Sequence, residues 1–255
     1  MSTPLILVCN DDGISAPGIN ALVKSMKQIG EVVVVAPDSP QSGTGHAITM
    51  NQPLRMERVY LFDDTMAYQC SGTPVDCVKL AVDKVLHRHP DLLVSGINHG
   101  SNSSINVIYS GTISAAVEGA IEGINSIGFS LNDYGFEADF EASVFYSKLI
   151  SEKVLEYGLP QGTLLNVNIP KLKTEEIKGI KICRQAKAKW VEEFDERTDP
   201  HNRKYYWLTG NFVNNDHGED TDEWALKNGF ISVVPTQFDL TAHHSISILN
   251  TWNFQ

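Results

Sequence analysis

Two carboxylates stand side by side at Asp11 and Asp12, just after the apolar run Leu5–Cys9. Adjacent ionised carboxylates repel each other unless a cation lies between them. Other polar groups follow other apolar runs: Asp38, Ser39 and Ser42 come after Val32–Ala36, and Asn98 after Asp91–Ile97. Carboxylate, hydroxyl and amide oxygens are the donors that suit a hard divalent cation, Mg²⁺, Mn²⁺ or Ca²⁺. Asp11, Asp12, Ser42 and Asn98 are therefore the candidate ligands of one divalent ion per subunit. Asp11 and Asp12 are also the candidate catalytic residues, able to position or deprotonate a water. Taken alone, Asp11-Asp12-Gly13 reads equally as a turn with a helix cap. Convergence with the other strand ends is what singles it out.

Ser110-Gly111-Thr112 precedes a helix of small residues, Ala115 to Ala120. A helix start carries free N–H groups and the positive end of the macrodipole. With two hydroxyls and a glycine it can cradle a phosphate, and it can equally be a plain Ser/Thr cap. Asn98 joins these three as a candidate phosphate contact. Gly43 and His46 are candidates for a substrate pocket, His46 as an acid, a phosphate contact or a loop histidine with a structural hydrogen bond. Ser71-Gly72-Thr73-Pro74 reads as a helix start or a pocket wall. Trp190 and Tyr205-Tyr206-Trp207 read as packing or interface residues. There is no P-loop, no zinc spacing of His and Cys, and no G-x-S-x-G elbow.

The elements that would position these residues alternate along the chain. Leu5–Cys9, Val32–Ala36, Met66–Cys70, Asp91–Ile97 and Ser126–Leu131 read as short strands. Between and after them, residues 17–29, 74–86, 110–123 and 137–156 carry apolar residues at helical spacing. Val32-Val33-Val34-Val35 has the continuous β-branched character of a strand covered on both faces. The expected fold is a Rossmann-like, doubly wound α/β core with a mostly parallel sheet, whose strand ends share one edge where ligands bind. After Pro160 the pattern turns β-rich, with strands at 164–169, 177–183, 204–208 and 230–234 and little helical periodicity. The expected division is a core over 1–183, a projecting arm or hairpin over 184–215, and a strand and tail over 216–255 returning to the core.

The chain has 255 residues, 42% hydrophobic and 20% charged, and a net charge of −11. Those values describe a globular protein with a substantial core. The acidity argues against a general nucleic-acid binder. It still permits a small phosphorylated ligand, because backbone N–H groups and a bound cation provide local positive potential. Four cysteines without C-x-x-C spacing read as buried free thiols in a reducing compartment. No secretory signal and no run of about 20 apolar residues is visible, so a cytoplasmic location without a membrane partner is expected.

Taken together, five segments resemble the SurE family of survival-protein nucleotidases. They are Ile6–Ile19 (ILVCNDDGISAPGI), Val32–Thr49 (VVVVAPDSPQSGTGHAIT), Ser71–Val78 (SGTPVDCV), Asp91–Asn102 (DLLVSGINHGSN) and Tyr109–Ala120 (YSGTISAAVEGA). Leu165–Pro170, the Arg184–Arg197 region and Tyr205–Trp207 extend the likeness to about residue 237. The resemblance implies a Rossmann-like core and hydrolysis of nucleoside 5′- and 3′-monophosphates with Mg²⁺ or Mn²⁺, with exopolyphosphatase activity in some members. It also implies ligands at Asp11, Asp12, Ser42 and Asn98, a phosphate-binding turn at Ser110-Gly111-Thr112, and dimers or tetramers assembled through the C-terminal arm. One departure is Ser39-Pro40-Gln41, where many members carry charged residues; the tail after Pro235 shows no family signature.

The expected mechanism is attack of a metal-activated water on phosphorus while the Ser110-Gly111-Thr112 helix start holds the phosphate. A haloacid-dehalogenase-like route needs Asp-x-Asp after the first strand, and here the carboxylates are adjacent. A non-catalytic nucleotide sensor would have lost a ligand or the anion turn, and both sets of residues are in place.

Overall fold

The computed structural model describes residues 3–135 and 137–254; the outermost residues of the expected division, 1–2 and 255, lie outside the described residues. In chain order the elements are β1 (Leu5–Cys9), α1 (Pro17–Met26), β2 (Glu31–Pro37), β3 (Met56–Val59), β4 (Met66–Cys70), α2 (Pro74–Leu80), β5 (Leu92–His99), α3 (Gly111–Ile121), β6 (Ser126–Asn132), α4 (Glu141–Tyr157), β7 (Thr163–Pro170), β8 (Ile180–Ile182), β9 (Ala188–Thr198), β10 (Lys204–Asn214), α5 (Asp222–Lys227), β11 (Ile231–Gln237) and α6 (His243–Leu249). A π-turn continues α2 over Ala81–Val85, and a 3₁₀ turn at Ser104–Ile108 precedes α3.

Nine strands form one sheet in the order β3-β4-β2-β1-β5-β6-β7-β11-β8. The ladders from β4 through β7 are all parallel. β11 runs antiparallel to β7, and β3 antiparallel to β4. From β1 the chain winds outward through β2 to β4, then returns to β5 on the other side of β1. The crevice between β1 and β5 is therefore the topological switch point, the place where open α/β sheets bind ligands.

Alternation along the strands explains the continuous apolar runs. Ile6, Val8, Val32, Val34 and Val94 pack with α1 and α4 on one face. Leu5, Leu7, Cys9, Val33, Val35 and Leu93 pack with α2 and α3 on the other. Both faces are covered, so no polar position is needed. Prolines at the first turns of α1 and α2 fix their starts. Thr73 and Asp76 form a capping box at α2, so the Ser71–Pro74 segment is a helix start. All four cysteines are buried and free.

β9 and β10 pair antiparallel over eleven residues, Ala188–Thr198 with Asn214–Lys204, in a two-stranded sheet of their own. This hairpin fills the segment expected as an arm. Arg184 clamps its base, with a two-pronged bond to Asp216 (2.6 and 2.9 Å) and a third to Asp220 (2.8 Å). Hydrogen bonding to Arg184 holds the Asp216 carboxyl well below the usual carboxylate range. The edge strand β3 and the helices α5 and α6 were not expected. β3 reads Met-Glu-Arg-Val with no buried residue, and the two helices have only 6 and 7 residues, too short for a periodic signal.

Candidate active site

Asp11 ends the turn out of β1 and is 4% exposed. Burial pushes its carboxyl up to about 6, and the neighbouring Asp12 adds to this; hydrogen bonds from Thr112 pull the other way. The Thr112 hydroxyl donates to Asp11 Oδ1. Asp12 is more open, and its Oδ2 accepts the His99 N–H at 3.3 Å. Burial raises its carboxyl as well, opposed by that bond.

Asn98 lies across the switch crevice, where the β5–β6 register slips between Ser95 and Asn98. Gly96, at φ +126°, makes the slip possible, because a side chain there would strike Phe129 O at 2.3 Å. The Asn98 amide donates to the carbonyls of His99 (3.2 Å) and Gly100 (2.8 Å). Its Oδ1 is left facing the Thr112 hydroxyl, 3.5 Å away. Asn98 Oδ1 thus presents an acceptor, which suits a cation.

The loop after β2 is fastened over this crevice. Gln41 N–H donates to Asp11 O at 2.7 Å and Gly45 N–H to Tyr109 O at 3.2 Å. Asp11, Asp12, Ser42, Gly43, Asn98 and Ser110 then share the walls of one cleft of about 230 Å³. His46 is not among its lining residues. Its Nε2 sits 2.8 Å from Glu118 Oε2, and Lys79 bonds the other oxygen of the same buried carboxylate. His46 is therefore a fastening of the Ser42 loop.

Of the expected phosphate turn, Ser110 reaches the cleft and caps α3, its Oγ accepting the Ile113 N–H at 3.0 Å. Accepting that bond leaves the hydroxyl's own hydrogen free to be donated. Gly111 and Thr112 sit behind it, buried against Asp11. A Cβ on Gly111 would lie 2.7 Å from Asp11 Cβ and 3.0 Å from Asp11 Oδ2. Thr112 departs from expectation: its hydroxyl serves Asp11, not an incoming anion.

The sequence reading missed Ser101, Asn102, Asn106, Tyr109, Tyr134 and Trp190 as cleft residues. Beneath them lies a buried amide network. Asn168 Oδ1 accepts the Asn102 N–H at 2.8 Å, Asn102 Nδ2 donates to Ser130 Oγ at 2.8 Å, and Asn166 Nδ2 donates to Asn102 O at 2.9 Å. The signal was present in Leu165–Pro170, where two asparagines interrupt an apolar strand on the same face.

No group of three or more His, Cys, Asp or Glu is placed to hold a metal among the described residues. A cation here would rest on two carboxylates completed by neutral oxygens and water, the usual arrangement for Mg²⁺. The residues fit that role. Asp11 and Asp12 form no ion pair among the described residues, and Asn98 offers a free acceptor beside them.

A family model described as survival protein SurE matches residues 6–192. A 5′-nucleotidase SurE of Flavobacterium psychrophilum is 65% identical over 254 residues, covering 99% of each chain. One from Phocaeicola vulgatus is 47% identical, covering 99% of this chain and 98% of its own. The crystal structure of a SurE protein from Aquifex aeolicus superimposes with a TM-score of 0.84 at 43% identity, covering 97% of this chain and 98% of that one.

Proposed function

The chain belongs to the survival protein SurE family, and from that premise we propose that it is a divalent-metal-dependent phosphomonoesterase acting on nucleoside 5′- and 3′-monophosphates. The observation that carries the reading is the meeting of Asp11, Asp12 and the Asn98 acceptor at the switch crevice, against the start of α3. The relatives, named 5′-nucleotidases, agree with it.

Asp11, Asp12, Ser42 and Asn98 would hold one Mg²⁺ or Mn²⁺, which when bound supplies Lewis acidity toward the phosphoryl group and toward water. Asp12, the more open carboxylate, orients the attacking water and takes its proton. Asp11 is held in place by Thr112. The phosphate sits at the Ser110-Gly111-Thr112 helix start, where Ser110 donates its hydroxyl hydrogen. The positive end of α3 balances the charge that grows on the equatorial oxygens. An exopolyphosphatase side activity uses the same phosphoryl chemistry.

Copies of the chain would assemble as dimers or tetramers through the hairpin face bearing Val191, Tyr205 and Trp207, all exposed; sedimentation of a Trp207→Asp variant tests this. Among the described residues no helix is long and apolar enough to cross a membrane.

The test is phosphate release from 5′-AMP, 3′-AMP and polyphosphate with Mn²⁺, with Mg²⁺ and with EDTA. Nucleotide hydrolysis that EDTA abolishes and Mn²⁺ restores is expected. Full activity in EDTA would remove the metal from the proposal, and absence of nucleotide hydrolysis with either ion would remove the substrate class.

A further inference from the structure

Beside the cleft lies a second hollow. Gly43, Tyr109 and Trp190 line both spaces, and Glu192, Leu208, Thr209 and Gly210 of the hairpin complete the second. Its volume is about 480 Å³, within the range of small-molecule sites. Gly43, Tyr109 and Trp190 thus stand between the two spaces as walls of both.

The walls of the hollow select against a further phosphate. No Lys or Arg lines it, and Glu192 makes it acidic. What it offers is aromatic and aliphatic surface with one carboxylate and the hydroxyl-bearing residues Tyr109 and Thr209, which matches a flat heteroaromatic ring bearing N–H donors. Strand register builds this surface. Phe212 and Gly210 stand opposite Trp190 and Glu192 across the hairpin, and Gly210, which carries no side chain, leaves the space open.

Trp190 is held ready. Its indole N–H donates to Asn106 Oδ1 at 2.8 Å, and its ring meets Phe212 edge-on at 5.5 Å. Even so, it remains 42% exposed. A side chain pinned at its polar tip and edge while part of its surface stays open is a preorganised stacking platform.

We propose that this hollow is the nucleobase subsite: the base stacks on Trp190 beside Tyr109 with its N–H edge toward Glu192, while its phosphate occupies the cleft. The proposal rests on the nucleotidase reading and deepens it, because it gives the hairpin a part in substrate choice. Stacking of one base on an aromatic side chain changes affinity by about tenfold to a hundredfold.

The experiment compares kcat/KM for AMP with that for the base-free ester ribose 5-phosphate, using the full chain with Mn²⁺. Wild type is expected to favour AMP by about tenfold to a hundredfold, expressed in KM. In Trp190→Ala that ratio falls toward one, and Trp190→Phe restores most of it. Should Trp190→Ala not fold, Leu208→Asp on the exposed strand (62%) places a charge in the hollow and is expected to collapse the ratio likewise. A wild-type ratio near one, or a ratio that survives both substitutions, overturns the subsite. If wild type hydrolyses neither ester, the nucleotidase reading has failed, and the subsite is decided separately by tryptophan fluorescence of the metal-free protein. Quenching by adenosine but not by ribose, lost in Trp190→Phe, supports it, and no quenching overturns it.

Discussion

The hydroxyl of Thr112, in the first turn of α3, donates to the buried carboxylate of Asp11 at the end of β1. That bond joins the helix start to the strand end and fixes one of the two adjacent carboxylates. Asp11 then needs no rearrangement when a ligand arrives. Loss of such a supporting partner costs about tenfold to a hundredfold in metal affinity or activity. Thr112→Val is expected to show that loss in Mn²⁺ titration and in kcat/KM for AMP, and Thr112→Ser to recover it. A fully active valine variant would show that Asp11 needs no such support.

Gly111 makes the approach possible. In an ordinary helix interior, Gly→Ala stabilises by about 1 kcal/mol. Here the added methyl meets Asp11 Cβ and Oδ2, so Gly111→Ala is expected to reverse that sign and lower activity at least about tenfold. Thermal melts and AMP turnover check both. A stabilised, active variant would mean that α3 and β1 can separate at no cost.

Asp11 also carries a cost of its own. With its carboxyl raised to about 6, at pH 8 both folded and unfolded forms are ionised and the burial penalty is borne in full. The gap from the ordinary value corresponds to about 3 kcal/mol. Asp11→Asn is therefore expected to be more stable than wild type in EDTA at pH 8, by about 1–3 kcal/mol, while losing activity. Urea unfolding would contradict this by showing a destabilised variant.

Glu118 gives the opposite sign. Burial alone would raise its carboxyl, but hydrogen bonds from His46 and Lys79 outweigh burial and hold it below the usual range. A depressed carboxylate contributes stability above its unfolded value, and that contribution is lost as pH falls through the folded one. Glu118→Gln is expected to cost about 1–3 kcal/mol at pH 7. The difference from wild type should shrink below about pH 4, as followed by denaturation across pH. A cost that does not change with pH would assign the effect to packing.

The layered core was legible because β1 and β2 are apolar on both faces and marked by short continuous runs, while β5 opens on Leu-Leu-Val and β6 is buried along most of its length with serines among its apolar residues. Asp11, Asp12, Ser42 and Asn98 could be named because a parallel topology sends every strand end to one edge. β3 was not legible, since an edge strand with half its neighbours in solvent has no apolar pattern to show. The direction of a hydroxyl was not legible either. Thr112 looked like an anion donor from its place at a helix start, and only the approach of β1 turned it toward Asp11. Trp190 entered the cleft through the 3₁₀ turn that carries Asn106, a contact across 84 residues that no local spacing announces.

The most direct measurement is phosphate release from AMP by the Asp12→Asn variant at saturating Mn²⁺. Turnover at least about a hundredfold below wild type is predicted, the scale of losing one strong transition-state contact. Turnover equal to wild type would contradict a cation and a water held by that carboxylate.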